Sequence, residues 1–115
     1  MGDIGNLREL VVKFRDERDW KQFHNPKDAA IGMVLEAGEV LEHFQWRNRE
    51  EQWAQVESKR GEIGEELADV LYWILLMSND LGIDISDAFI KKMEKNAAKY
   101  PVDKAKGNHK KYTEL

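Results

Sequence analysis

Gly61–Leu81, GEIGEELADVLYWILLMSNDL, is the stretch whose reading decides the fold of this 115-residue chain. It is built of good helix formers, contains no proline, and is followed by Gly82 where a helix can stop; the pattern predicts one helix over 61–81. At about 100° per residue, Glu62, Glu66, Asp69 and Trp73 fall in one narrow stripe along it. Val70–Met77 is an unbroken apolar run, so other helices must cover most of its circumference. Carboxylates on a helix bound for a core are costly unless a cation meets them.

Composition narrows the classes. A hydrophobic content of 42% and a charged content of 35% suit a soluble, all-α domain rather than a disordered chain. The net charge of −4, with no basic face to offset it, argues against a nucleic-acid polymer as partner. The longest apolar run is too short to span a bilayer, so no membrane is expected. No secretory segment opens the chain, and Met1-Gly2 is followed by Asn6 rather than Ser or Thr, which gives no support to myristoylation. The absence of cysteine excludes disulfides and thiolate metal sites and fits a cytoplasmic protein.

Outward from the central stretch, the pattern yields four helices. Asp3 or Asn6 can cap a first helix with Leu7, Leu10, Val11 and Phe14 on its apolar face. Periodicity then gives way to Glu17–His24, where large aromatics alternate with polar groups. Asn25 and Pro26 start a second helix running to about Trp46, with Ala30, Val34, Ala37, Leu41 and Phe44 as its expected core stripe. Another side carries Gly32, Glu36, Glu39 and His43, bordered by apolar residues. Arg47–Arg60 is charge-mixed and reads as a connector with a short helix. Asp84 caps a fourth helix, Asp87 being placed for a capping-box variant, with Ala88, Phe89, Met93 and Ala97 inward and Pro101 at its end. Residues 1–101 form the expected domain and 102–115 an extended, lysine-rich tail. So modest a set of apolar faces predicts a bundle that completes its core by oligomerising.

Glu36-x-x-Glu39 and Glu66-x-x-Asp69 share a design, because an i, i+3 pair puts two carboxylates on one helix face, their Cβ atoms about 5–6 Å apart. Two such pairs on facing helices gather four acids. Mutual repulsion would raise their pKa values, whereas Mg²⁺ prefers that donor set and leaves positions open for water and phosphate oxygens. A di-iron site of the ferritin type needs Glu-x-x-His on two helices; His43 is misplaced for that and the third helix has no histidine. Acids near helix starts are more often solvated, but here each pair is hemmed by apolar neighbours.

At these residues the sequence resembles the MazG-type all-α nucleoside triphosphate pyrophosphohydrolases, and within them the dCTP pyrophosphatase branch. The landmarks span nearly the whole chain: Glu17-Arg18-Asp19-Trp20 with Gln22-Phe23-His24, Glu36-x-x-Glu39 leading to Phe44-Gln45-Trp46, Glu65-Glu66-Leu67-x-Asp69-Val70-Leu71, Lys92-Met93-x-x-Asn96-x-x-x-Tyr100-Pro101-Val102, and Lys111-Tyr112-Thr113. The resemblance implies a homotetramer that hydrolyses a dNTP to the dNMP and pyrophosphate. It implies that Glu36, Glu39, Glu66 and Asp69 hold Mg²⁺, that Trp20, Lys21, Gln22, Phe23 and His24 line the nucleoside pocket with Trp46, and that Trp73 stands where the branch has a substrate-contacting tyrosine. Val11 departs from a histidine that vertebrate members carry there, which bears on base selectivity.

The expected reaction is attack of metal-activated water on the α-phosphorus, with Glu39 or Glu66 as the general base. Lys92 and Asn96 lie on one side of the fourth helix and can reach phosphate oxygens, though the same placement suits a solvated face. Most tryptophans pack cores, which is the plainer reading of Trp73. The rival class is a non-catalytic helical interaction module with surface acids and an aromatic partner groove.

Overall fold

The computed structural model describes residues 3–115 and shows, among them, helices and turns but no strand. Met1 and Gly2, on which the myristoylation reading turns, lie outside the described residues. Helix α1 (Ile4–Glu17) is capped by Asp3, whose carboxylate accepts the Asn6 amide at 2.8 Å. Asn6, the other expected cap, is therefore inside the helix. Asp19, at φ 53°, redirects the chain into a single 3₁₀ turn over Lys21–Phe23. Asn25 then caps α2 (Pro26–Glu42) by accepting the Asp28 amide at 2.9 Å. This helix stops before the expected Trp46, and residues 43–46 turn instead, with Trp46 at φ 89°.

Helix α3 (Arg49–Asp80) corrects the reading of residues 47–60 as a connector, for most of that segment is its first part. Asn48 and Glu51 cap it reciprocally, each backbone amide bonded to the other's side chain at 2.9 Å. The helix is interrupted only at Lys59 (φ −124°, ψ 23°), and Glu57–Arg60 at 3.0 Å and Lys59–Glu62 at 3.6 Å flank the break. This part is largely exposed, so it lacks the apolar period that announces a buried helix; caps and charge pairs specify it instead. Gly82, at φ 67°, terminates α3 as expected: only a residue without Cβ adopts that backbone freely.

The described residues up to Gly82 form one compact unit, in which α1 and α2 both pack on α3. Ile63, Leu75, Leu76 and Ala29 are buried, and no residue of Val70–Met77 is exposed, as the apolar run requires. At the far end of α3, Asp80 accepts a 2.6 Å hydrogen bond from Arg15, whose side chain is 1% exposed.

The face of α2 is a second correction. Of its expected core stripe, Val34 is 69% and Leu41 58% exposed, and Ala37 is also on the surface. Residues drawn away from solvent include Ala29, Gly32, Met33, Glu36, Val40 and His43. Both stripes have helical spacing, and close approach decides between them. A Cβ added at Gly32 would lie 2.6 Å from Trp73 Cε2, so α2 seats its acid-bearing side against α3.

Ile83–Leu115 form a second compact unit. Asp84 caps α4 (Ile85–Lys99), but Asp87 does not return the bond of a capping box; its carboxylate meets Lys91 at 2.9 Å. Ala88 is half-buried, while Phe89, Met93 and Ala97, expected to face inward, are exposed because nothing in this unit covers them. The tail is not simply extended. Val102–Ala105 makes a short helix, α5, and Tyr112–Glu114 a 3₁₀ turn, with Tyr112 edge-on to Tyr100 and under Lys99 Nζ at 4.8 Å. Among the described residues no helix is long and apolar enough to cross a membrane.

Candidate metal and nucleotide site

The two acidic doublets meet where α2 crosses α3. Glu36 is the focus. Burial raises its pKa, and the charges of Glu39, Asp69 and Glu66 raise it further, so all four carboxylates share one neighbourhood. Glu36 Oε2 is buried without a hydrogen-bond partner. Such an orphaned acceptor among like charges is costly, and a divalent cation would resolve both problems. Among the described residues, however, no three His, Cys, Asp or Glu side chains are already gathered closely enough to hold a metal ion. Glu39 and Asp69 are solvent-exposed, and Glu66 is turned onto His43, whose Nε2 lies 2.5 Å from its Oε2. The donor set fits Mg²⁺ in chemical type.

His43 is held in its turn by Gln55, Nε2 to Nδ1 at 2.9 Å. With Gln55 donating, the imidazole proton sits on Nε2, the nitrogen close to Glu66, although Glu66 Oε2 accepts no hydrogen bond of good geometry. The helical register places His43 on the Glu36–Glu39 stripe, so its location is legible in the sequence. Gln55 is not, because it falls in the segment read as connector.

Beside the acids lies a cavity of about 620 Å³. Glu36 and Asp69 form its polar end, and Trp20, His24, Tyr72 and Trp73 its aromatic walls. The rings support one another edge to face: Trp20 on Phe14 at 5.7 Å, Phe14 on Tyr72 at 6.3 Å, Tyr72 on Trp73 at 5.3 Å, and Trp73 on His24 at 5.6 Å. Burial pushes the Tyr72 phenol up in pKa, against the opposing charges of Arg15 and Arg18, so it remains a neutral donor at pH 7. Phe14, Tyr72 and Leu10 were not singled out as site residues; as members of apolar helix faces they carry no signal that separates a cavity wall from a core. Val11 lines the same cavity.

The remaining sequence candidates divide. Lys21 lines, with His24, a smaller cavity of about 320 Å³ that ends at Asp80. Gln22 spends its amide on Asp19, at 3.1 Å to the carbonyl and 3.0 Å to the carboxylate, fixing the turn before the 3₁₀ segment. Phe23 is exposed, and Trp46 is 93% exposed and lines neither cavity. The positive φ of Asp19 and of Trp46 marks local backbone strain at both edges of these aromatic segments. Lys92 and Asn96 belong to the second unit, where the Asn96 amide rests 3.9 Å from Met93 Sδ.

Comparison with known proteins agrees with this construction. The mouse and human proteins called dCTP pyrophosphatase 1 are each 38% identical over 114 residues, covering 97% of this chain and 67% of theirs. The crystal structure of a pyrophosphatase from Archaeoglobus fulgidus superposes with a TM-score of 0.81 at 38% identity, over 88% of this chain and 94% of that one. The MazG-like family model matches residues 31–115, a span that takes in both acidic doublets. With its paired acids on crossing helices beside an aromatic cavity, the chain belongs to the MazG-like family.

Proposed function

We propose that the protein is a nucleoside triphosphate pyrophosphohydrolase, hydrolysing a dNTP, dCTP or a modified dCTP foremost, to the dNMP and pyrophosphate. The observation that carries this reading is the placement of an orphaned, repelled Glu36 at the polar end of an aromatic cavity of nucleoside size. The names of the mammalian and archaeal relatives support it. Bound Mg²⁺ would be held by Glu36, Glu39, Glu66 and Asp69 and would supply charge neutralisation and Lewis acidity to the triphosphate.

The chain's own residues do the rest. Trp20 and Trp73 clamp the base between π faces, with His24 at the wall between them able to donate or accept at a base edge. Tyr72 donates from its neutral phenol. Glu39 or Glu66 accepts the proton of the attacking water at a carboxylate oxygen. His43 sits against Glu66 and is itself oriented by Gln55. Lys21, which borders the neighbouring cavity with His24, adds a cation for the substrate's phosphates in this reading. Residues 1–101 are the catalytic domain and 102–115 its tail, in a cytoplasmic homotetramer that acts on free nucleotides.

A pyrophosphate-release screen over common and modified nucleotides, with Mg²⁺ and with chelator, tests this reading. Glu39→Gln should lower kcat by about 10²-fold or more while leaving the melting temperature unchanged, since Glu39 is exposed. Retained turnover in that variant, or a wild-type protein that releases no pyrophosphate from any nucleotide, contradicts the assignment.

A further inference from the structure

Gly32 and Trp73 meet face to face where α2 crosses α3. A Cβ at residue 32 would stand 2.6 Å from Cε2, 2.8 Å from Cζ2 and 3.1 Å from Cδ2 of the indole, and the first two are closer than packed side chains come. The same indole walls the 620 Å³ cavity. Glu36 lies one helical turn after Gly32, and Asp69 one turn before Trp73, so the contact sits directly beside the acidic end of the cavity. We propose that Gly32 is a positioning residue that sets how deep a base the cavity accepts, by letting the Trp73 indole lie back against the α2 backbone. The inference rests on the function proposed above.

The physical argument concerns which neighbour gives way. Adding a methyl at residue 32 must move either a whole helix or one ring. Parting α2 from α3 would disturb packing along both helices, from Ala29 to His43 on one side and from Ile63 to Met77 on the other. Tilting the indole disturbs a single ring that borders the cavity, at the expense of its edge-to-face contacts with Tyr72 and His24. The ring therefore swings into the cavity, narrowing the space for a base and leaving the carboxylates where they are. Gly32 thus acts on substrate binding through Trp73 and touches no reacting atom.

Gly32→Ala is the test, with Trp73→Phe as the partner variant, read by steady-state kinetics on dCTP and dATP and by tryptophan emission and acrylamide quenching. Gly32→Ala should raise the KM for dCTP about tenfold, and that for the larger dATP more, with kcat within about twofold. In the Trp73→Phe background, whose own KM is raised by loss of the indole, adding Gly32→Ala should raise KM no further, because the smaller ring clears the new methyl. Emission should change on Gly32→Ala in the wild-type background and stay unchanged in the Trp73→Phe background. An unchanged KM, a loss confined to kcat, or a double variant whose KM exceeds that of Trp73→Phe alone overturns the proposal. If the wild-type protein turns over no nucleotide, the functional reading fails, while the emission cycle still decides whether residue 32 positions the indole.

Discussion

Glu36 is the residue on which most of the chemistry converges. It is buried enough to lose hydration, it faces three other carboxylates, and one of its oxygens has no partner. Its folded-state pKa is raised, so the folded chain binds the proton more tightly than the unfolded chain does. The sign follows: stability falls as pH rises from the unfolded pKa through the folded one, and at neutral pH Glu36 opposes folding. Glu36→Gln should therefore raise the melting temperature in chelator and remove the further increase that Mg²⁺ brings to the wild type, by differential scanning fluorimetry. A variant that melts lower in chelator, or still responds fully to Mg²⁺, would contradict the role given to this side chain. The i, i+3 spacing of both doublets made these acids legible from residue order alone. The exchange of Glu66 onto His43 was not, because it depends on which rotamer each side chain takes once the helices cross.

Between elements, the Arg15–Asp80 pair ties α1 to the end of α3. The guanidinium is buried, and its hydrogen bond and charge hold the Asp80 carboxyl below its ordinary pKa although desolvation alone would raise it. The Asp80 contribution is thus present above the unfolded pKa and is lost as pH falls through the folded one. The difference in urea stability between the wild type and Asp80→Asn should be steady from neutrality down to about pH 4 and shrink below it. Asp80→Asn should cost about 3 kcal/mol at pH 7, since it leaves a buried cation short of its counter-charge. Sequence patterning could not reveal this bond. Arg15 reads as one more polar residue outside the first helix, and its partner is sixty-five positions away. The same blindness applies to α3 before Lys59, whose exposed residues offer a cap and ion pairs but no apolar stripe.

At the scale of the whole molecule, α2 keeps an apolar strip in solvent: Ile31, Val34, Leu35 and Leu41 are all exposed. An apolar patch of this kind is a feature of surfaces that meet a partner, and it supports assembly of several copies of this chain. Val34→Asp places a charge in the middle of the strip at a position that contributes nothing to the buried core. Light scattering coupled to size exclusion should show a smaller species for Val34→Asp than for the wild type, with helix content by circular dichroism unchanged. An unaltered mass would remove α2 from the interface. Sequence periodicity put Val34 and Leu41 on a core stripe with Ala30, Ala37 and Phe44, of which only Ala30 and Phe44 are drawn from solvent, because spacing reports that a face is apolar and says nothing of what covers it.

Residue order by itself determined an all-α chain, the caps at Asn25 and Asp84, the stop at Gly82, and the two acidic doublets, for each of these is a local consequence of backbone geometry and 3.6-residue periodicity. Tertiary structure decided which side of α2 turns inward, which histidine takes hold of Glu66, and which aromatics wall a cavity rather than fill a core. Those outcomes depend on how closely two helices approach, and here that distance is set by the bare backbone of Gly32 against the ring of Trp73.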